Sequence, residues 1–127
     1  MKWDEYRHIA HERGALALEL YVVESTPSAG EDAVKENLPD HLAYQRDLEE
    51  RGILVLAGPL SDPTGEIMVG AGLIVYRAPS LLVAEKLASQ DPMHQSGARS
   101  FTLRKWLVNE GSLSINVGLS TGSATLS

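Results

Sequence analysis

The repeat of apolar residues along this chain switches between two periods, and that switching leaves few folds open to it. From Ala15 to Val23 the period is two: Leu16, Leu18, Leu20 and Val22 point one way, and Ala17, Glu19 and Tyr21 the other, as in a strand with one apolar face. Ser25 to Glu36 holds Thr26-Pro27, Ala29-Gly30 and several acids without a period, which reads as a surface loop. Pro39 suits the first turn of a helix and Gly52 the position just past its end. Ile53 to Ala57 is a short apolar run closed by Gly58-Pro59, of the kind a strand covered on both faces has. A turn cluster, Ser61 to Gly65, joins it to a second apolar run from Ile67 to Tyr76, so the two predict an antiparallel hairpin. Ser80 caps a second helix that Asp91-Pro92 must end, because the residue before a proline is driven out of helical geometry. Phe101, Leu103 and Leu107 then alternate with Thr102 and Arg104 in a last strand.

The order is β-α-β-β-α-β, which predicts an α+β, ferredoxin-like fold with two helices on one face of a four-stranded antiparallel sheet. Trp3, Tyr6, Ile9 and Ala10 lie at helical spacing and Gly14 stops them, so residues 1–14 form an N-terminal helical extension. The domain proper spans 15–110. Residues 111–127 are a Ser- and Gly-rich tail in which Leu113, Ile115 and Val117 alternate as a candidate edge strand and Ser120 to Ser127 reads as disordered. Helices on one sheet face leave the other to be covered, most simply by a second copy of the chain.

Composition narrows the partners. Seventeen acidic against eleven basic residues give a net charge of −6, the wrong sign for nucleic acid or an anionic membrane surface. There is no cysteine, which removes disulfides, thiolate nucleophiles and Cys-based zinc sites. The first residues lack the apolar run of a secretion signal, and no stretch approaches the roughly 20 apolar residues of a bilayer span, so the expected location is cytoplasmic.

One residue stands out on the helix after Pro39. At 100° per residue, Leu38, Tyr44, Gln45 and Leu48 fall within about 60° of His41, while Asp40, Arg46, Asp47 and Glu50 fall on the far side. His41 is thus at the middle of the inward face, placed as a proton-transfer imidazole or as a hydrogen-bonded core histidine. Asp91 opens a turn towards Met93-His94, which it can cap. His8 and His11 share a face with Glu12, which is the pattern of a solvated helix surface rather than of a metal site. Gly70-Ala71-Gly72 lies inside a strand and opens no helix, so it is no dinucleotide fingerprint; such glycines serve a bulge or a close backbone approach. Nothing here implies a metal or an organic cofactor.

Four segments together carry a resemblance: Pro39-Asp40-His41-Leu42-Ala43-Tyr44, Ala57-Gly58-Pro59-Leu60, Gly72-Leu73-Ile74-Val75-Tyr76 and Asp91-Pro92-Met93. In this order and spacing, residues 15–108 resemble the YciI-like (YCII-related) domain. The resemblance implies a ferredoxin-like unit assembled as a dimeric α+β barrel, and an active site in which His41 and Asp91 are the catalytic pair. The wider class includes lactone isomerases, dehalogenases and small monooxygenases. The chain departs from the family in its long 24–36 loop and its C-terminal extension. Tyr44, Gly58, Pro59, His94 and Arg104 complete the candidate set as ligand-binding residues, Tyr44 and Arg104 by their inward period, with His94 a second candidate partner for Asp91. Two functions are compatible with this: an acid/base enzyme acting on a small molecule, with lactone isomerase, dehalogenase or hydrolase-like chemistry, or a homodimeric module that binds a small ligand, or only holds a dimer seam, without turnover.

Overall fold

A computed structural model describes residues 1–127. The elements run α1 (Trp3–Glu12), β1 (Leu18–Pro27), α2 (Glu31–Glu50), β2 (Leu54–Ser61), β3 (Met68–Tyr76), α3 (Leu81–Gln90), α4 (Pro92–Gln95), β4 (Arg99–Val108), β5 (Ile115–Val117) and β6 (Ala124–Leu126). Four strands form one sheet in the order β2-β3-β1-β4, with β3 antiparallel to both β1 and β2. This is the ferredoxin-like α+β architecture that the alternation of periods predicts.

The chain divides into two compact units, 19–106 and a second made of 1–18 with 107–127. In the first, the helix-side core holds Tyr21, Val23, Leu48, Ile74, Tyr76, Ala84 and Ala88. Its strand residues follow from register: Tyr21 faces Tyr76 and Val23 faces Ile74 across β1 and β3. The odd-numbered residues of β1 therefore turn towards this core, and the leucine row Leu18, Leu20 and Val22 belongs to the opposite face. There Leu20 and Val75 are buried, whereas Leu56 and Trp106 remain 57% and 45% exposed. β2 is an edge strand, and within one chain its Leu56 face stays uncovered, where the apolar run predicts cover on both faces.

Other expectations need correction. The 25–36 segment is not a loop: β1 continues to Pro27, and α2 begins at Glu31. Gly30, with φ of 88°, turns the chain into the helix, Glu31 and Asp32 sit favourably in its first turn, and Ala33, Val34 and Leu38 continue its apolar spacing. Pro39 lies inside this 20-residue helix rather than at its start; its missing N–H removes one helical hydrogen bond, which the turns on either side outlast.

The tail is also different. Ile115–Val117 pairs antiparallel with Ala124–Leu126 as a separate two-stranded sheet, so it is not an edge strand of the main sheet and the end of the chain is not structureless. Gly122, with φ of 70°, and the Gly118–Ser123 and Ser114–Ser127 backbone bonds close this hairpin. Arg104, finally, shares its register on β4 with Thr102 and Trp106 and is exposed, because the inward series is Phe101 and Leu103.

Candidate active site

Asp91 occupies the joint between two helices, and both flanks fix it. As the last residue before Pro92 it ends α3, and as N-cap of α4 its Oδ1 accepts the Met93 N–H at 2.9 Å. The carboxylate is completely buried, so it needs a further donor. His41 supplies it from the inward face of α2, with Nδ1 2.8 Å from Oδ1 and 2.9 Å from Oδ2. The cap and the pairing are therefore made by the same carboxylate. Since that carboxylate can only accept, the bridging proton belongs to Nδ1 and the neutral ring leaves Nε2 without one. The His41 side chain is 15% exposed.

That exposure is to a cavity of about 780 Å³, inside the range of small-molecule sites. Ser25, Pro59 and Gly72 bring it under the sheet register, Leu38 and His41 reach it from α2, and Arg99 borders it from the start of β4. Gly58 lines it as well. Gly70, also on the wall, has φ of 96°, and a Cβ there would lie 2.7 Å from Pro27 Cγ; the glycine permits the close approach of β3 to the end of β1.

Other candidates stand behind the wall. The Tyr44 hydroxyl donates to the Leu87 carbonyl at 2.7 Å, and burial, followed by the Asp91 charge, raises its phenol above the ordinary value. It remains a protonated, committed hydroxyl rather than a ligand contact. Tyr76 is raised strongly by burial as well, and its buried hydroxyl has no partner. Arg104 is remote from the cavity, on the other sheet face. No group of three or more His, Asp or Glu side chains is gathered that could hold a metal ion.

His94 is not the partner of Asp91. Its Nδ1 donates to the Ala88 carbonyl at 2.8 Å, so Nε2 accepts, and Ser25 Oγ lies 2.7 Å away to donate to it. Phe101 packs against the ring, centroids 4.7 Å apart. Ser25 Oγ in turn receives Arg99 Nε at 2.8 Å. Burial, the largest effect, holds His94 below its ordinary value. The folded value thus lies under the unfolded one, so the unfolded chain takes up the proton first as pH falls. The stability His94 contributes is complete above about pH 6.5 and declines below it, towards the folded value. The melting temperature should therefore drop on acidification from pH 7 to 5, and drop less in His94→Gln, measured by calorimetry at matched ionic strength.

Ser25 and Arg99 escaped the sequence reading. Arg99 was legible in principle: it is two residues before Phe101, so it shares that residue's inward register, and a charge at such a position asks for a reason. Ser25 carries no such signal.

The description "YCII-related domain" fits residues 19–107, which is the greater part of the chain. Among solved structures, the 5-chloro-2-hydroxyhydroquinone dehydrochlorinase TftG from Burkholderia phenoliruptrix, in complex with 2,5-dihydroxybenzoquinone, is similar in fold: TM-score 0.55, 19% identity, over 68% of this chain and 92% of that one. No curated protein matches the chain.

Proposed function

The chain belongs to the YCII-related domain family, and from that premise we propose that it is a small-molecule enzyme in which His41 moves a proton and Asp91 holds the ring that does so. The observation that carries this is the double contact of His41 Nδ1 with the buried Asp91 carboxylate, in a side chain that borders the cavity. Asp91 cannot turn away, because its Oδ1 also caps α4. The pair fixes the tautomer and aims Nε2, which has no protein partner, as a proton acceptor. When Nε2 takes a proton, the carboxylate stabilises the imidazolium that results.

The dehydrochlorinase of similar fold supports elimination as the first reaction class to try. There a base takes a proton from the substrate, the electrons of that bond form a new double bond, and halide leaves; His41 Nε2 is the base. Lactone isomerisation or hydrolysis would use the same acceptor. The test is a screen of chlorinated hydroxyquinols, lactones and esters, followed by absorbance and halide release. Turnover with the wild type that falls at least about a hundredfold in His41→Asn supports the reading. Ligands that bind without turnover would instead favour a non-catalytic binding module.

A homodimer belongs to the same reading, supported by the exposed Leu56 and Trp106 on the strand face away from α2 and α3. Light scattering at micromolar concentration should give twice the 13.8 kDa chain mass, and Trp106→Glu should lower it. A single-chain mass for the wild type would contradict the dimer.

A further inference from the structure

The cavity contains a cation that no carboxylate pairs with directly. Arg99 has five N–H donors in a rigid fork. Nε goes to Ser25 Oγ at 2.8 Å, and Nη2 to the backbone carbonyls of Ser25, at 2.8 Å, and of Gly70. All three acceptors are neutral. Nη1, with its two N–H groups, has no protein partner, and no carboxylate is within ion-pair distance of the side chain. Asp91 acts on Arg99 only through space and is already engaged by His41 and the Met93 N–H. Of the other charged residues on the wall, Lys35 has the same sign as Arg99 and only Glu31 is opposite.

The fork is also held still. Ser25 Oγ, which receives Nε, is fixed by its own bond to His94 Nε2, and His94 is anchored through Nδ1 to Ala88 O. Three strands meet at this guanidinium: β4 carries it, and the end of β1 and start of β3 present the carbonyls. A partly desolvated cation with a fixed orientation and two donors to spare is a preorganised acceptor for an oxyanion. The surrounding wall, from Leu38 to Pro59 and Ile74, is mostly apolar.

We propose that the cavity takes a small organic anion with an apolar body, its carboxylate, enolate or phenolate oxygen held by Nη1 of Arg99 while the body faces His41. This rests on the reading of the cavity as the reaction site and adds the class of ligand. Arg99 is then a specificity-determining residue, and the Ser25–His94 pair positions it.

The experiment needs no known substrate. Benzoate, 4-nitrophenolate and 2,5-dihydroxybenzoquinone are titrated by calorimetry against the neutral isosteres benzamide and 4-nitroanisole. At least one anion should bind the wild type at least about tenfold more tightly than its neutral counterpart, and Arg99→Gln should erase that preference. Which anion wins separates a carboxylate from a phenolate ligand. Side-chain nitrogen resonances of Arg99 in the wild type should shift on saturation, which keeps the test decisive if Arg99→Gln fails to fold. Equal binding of anions and neutral isosteres, a preference that survives Arg99→Gln, or unmoved Arg99 resonances would overturn the proposal. Turnover of neutral substrates that depends on His41 and ignores Arg99→Gln would defeat the anion inference alone. Arg99-dependent anion binding with no turnover of any substrate would defeat the enzyme reading alone.

Discussion

His41→Asn is expected to keep the fold and to lower turnover by about 10²- to 10⁴-fold, the usual contribution of a positioned general base. Asparagine is the informative replacement because its amide nitrogen falls where Nδ1 lies, so it can still donate to the Asp91 carboxylate that receives Nδ1 at 2.8 and 2.9 Å. It has no counterpart of Nε2 and cannot take up a proton. The melting temperature should stay within about 4 °C, which corresponds to roughly 1 kcal/mol for a domain of this size. Calorimetry and the rate with the best substrate from the screen check both halves. A rate within a factor of about three of the wild type would show that His41 is a structural histidine.

Asp91→Ala should have the largest effect on stability. The carboxylate is fully buried. Its loss removes the α4 cap and so leaves Met93 N–H, together with His41 Nδ1–H, unpaired in the interior, at about 1–3 kcal/mol each where no water reaches them. A total of about 3 kcal/mol corresponds to a fall in melting temperature of roughly 10–15 °C. Asp91→Asn separates structure from chemistry. Its carbonyl oxygen can still cap Met93, but the NH2 group then faces His41 Nδ1 and favours the opposite tautomer, with the proton on Nε2. Stability should fall by about 1 kcal/mol while turnover falls as far as in His41→Asn. If Asp91→Asn retains activity, the carboxylate acts only as a cap.

His41 and Asp91 were legible for different reasons. Helical period alone centres His41 on the inward face of α2. The two residues are fifty apart in sequence, and nothing local joins them; only family resemblance brought Asp91 to its side. The helix start was misread because proline is a strong marker of a first turn, whereas here the apolar spacing continues through Pro39 and the acids after Gly30 mark the true beginning. Parity misled at Arg104, since one residue of offset on a strand exchanges the two faces. Read from Phe101 backwards, the same parity leads to Arg99. The hairpin of the tail escaped because three-residue strands in a Ser-rich segment have too little pattern to separate from coil.

The claim at the centre of this account is that Asp91 presents His41 to the cavity with its proton on Nδ1 and its Nε2 free. Long-range proton–nitrogen spectra of the histidine rings test it without a substrate, recorded where the rings are neutral and assigned with His41→Asn and His94→Gln. His41 should show a protonated Nδ1 and an unprotonated Nε2 in the wild type, and the reverse in Asp91→Asn. A wild-type His41 protonated on Nε2 would contradict the account, because that nitrogen would then have no lone pair with which to accept a proton.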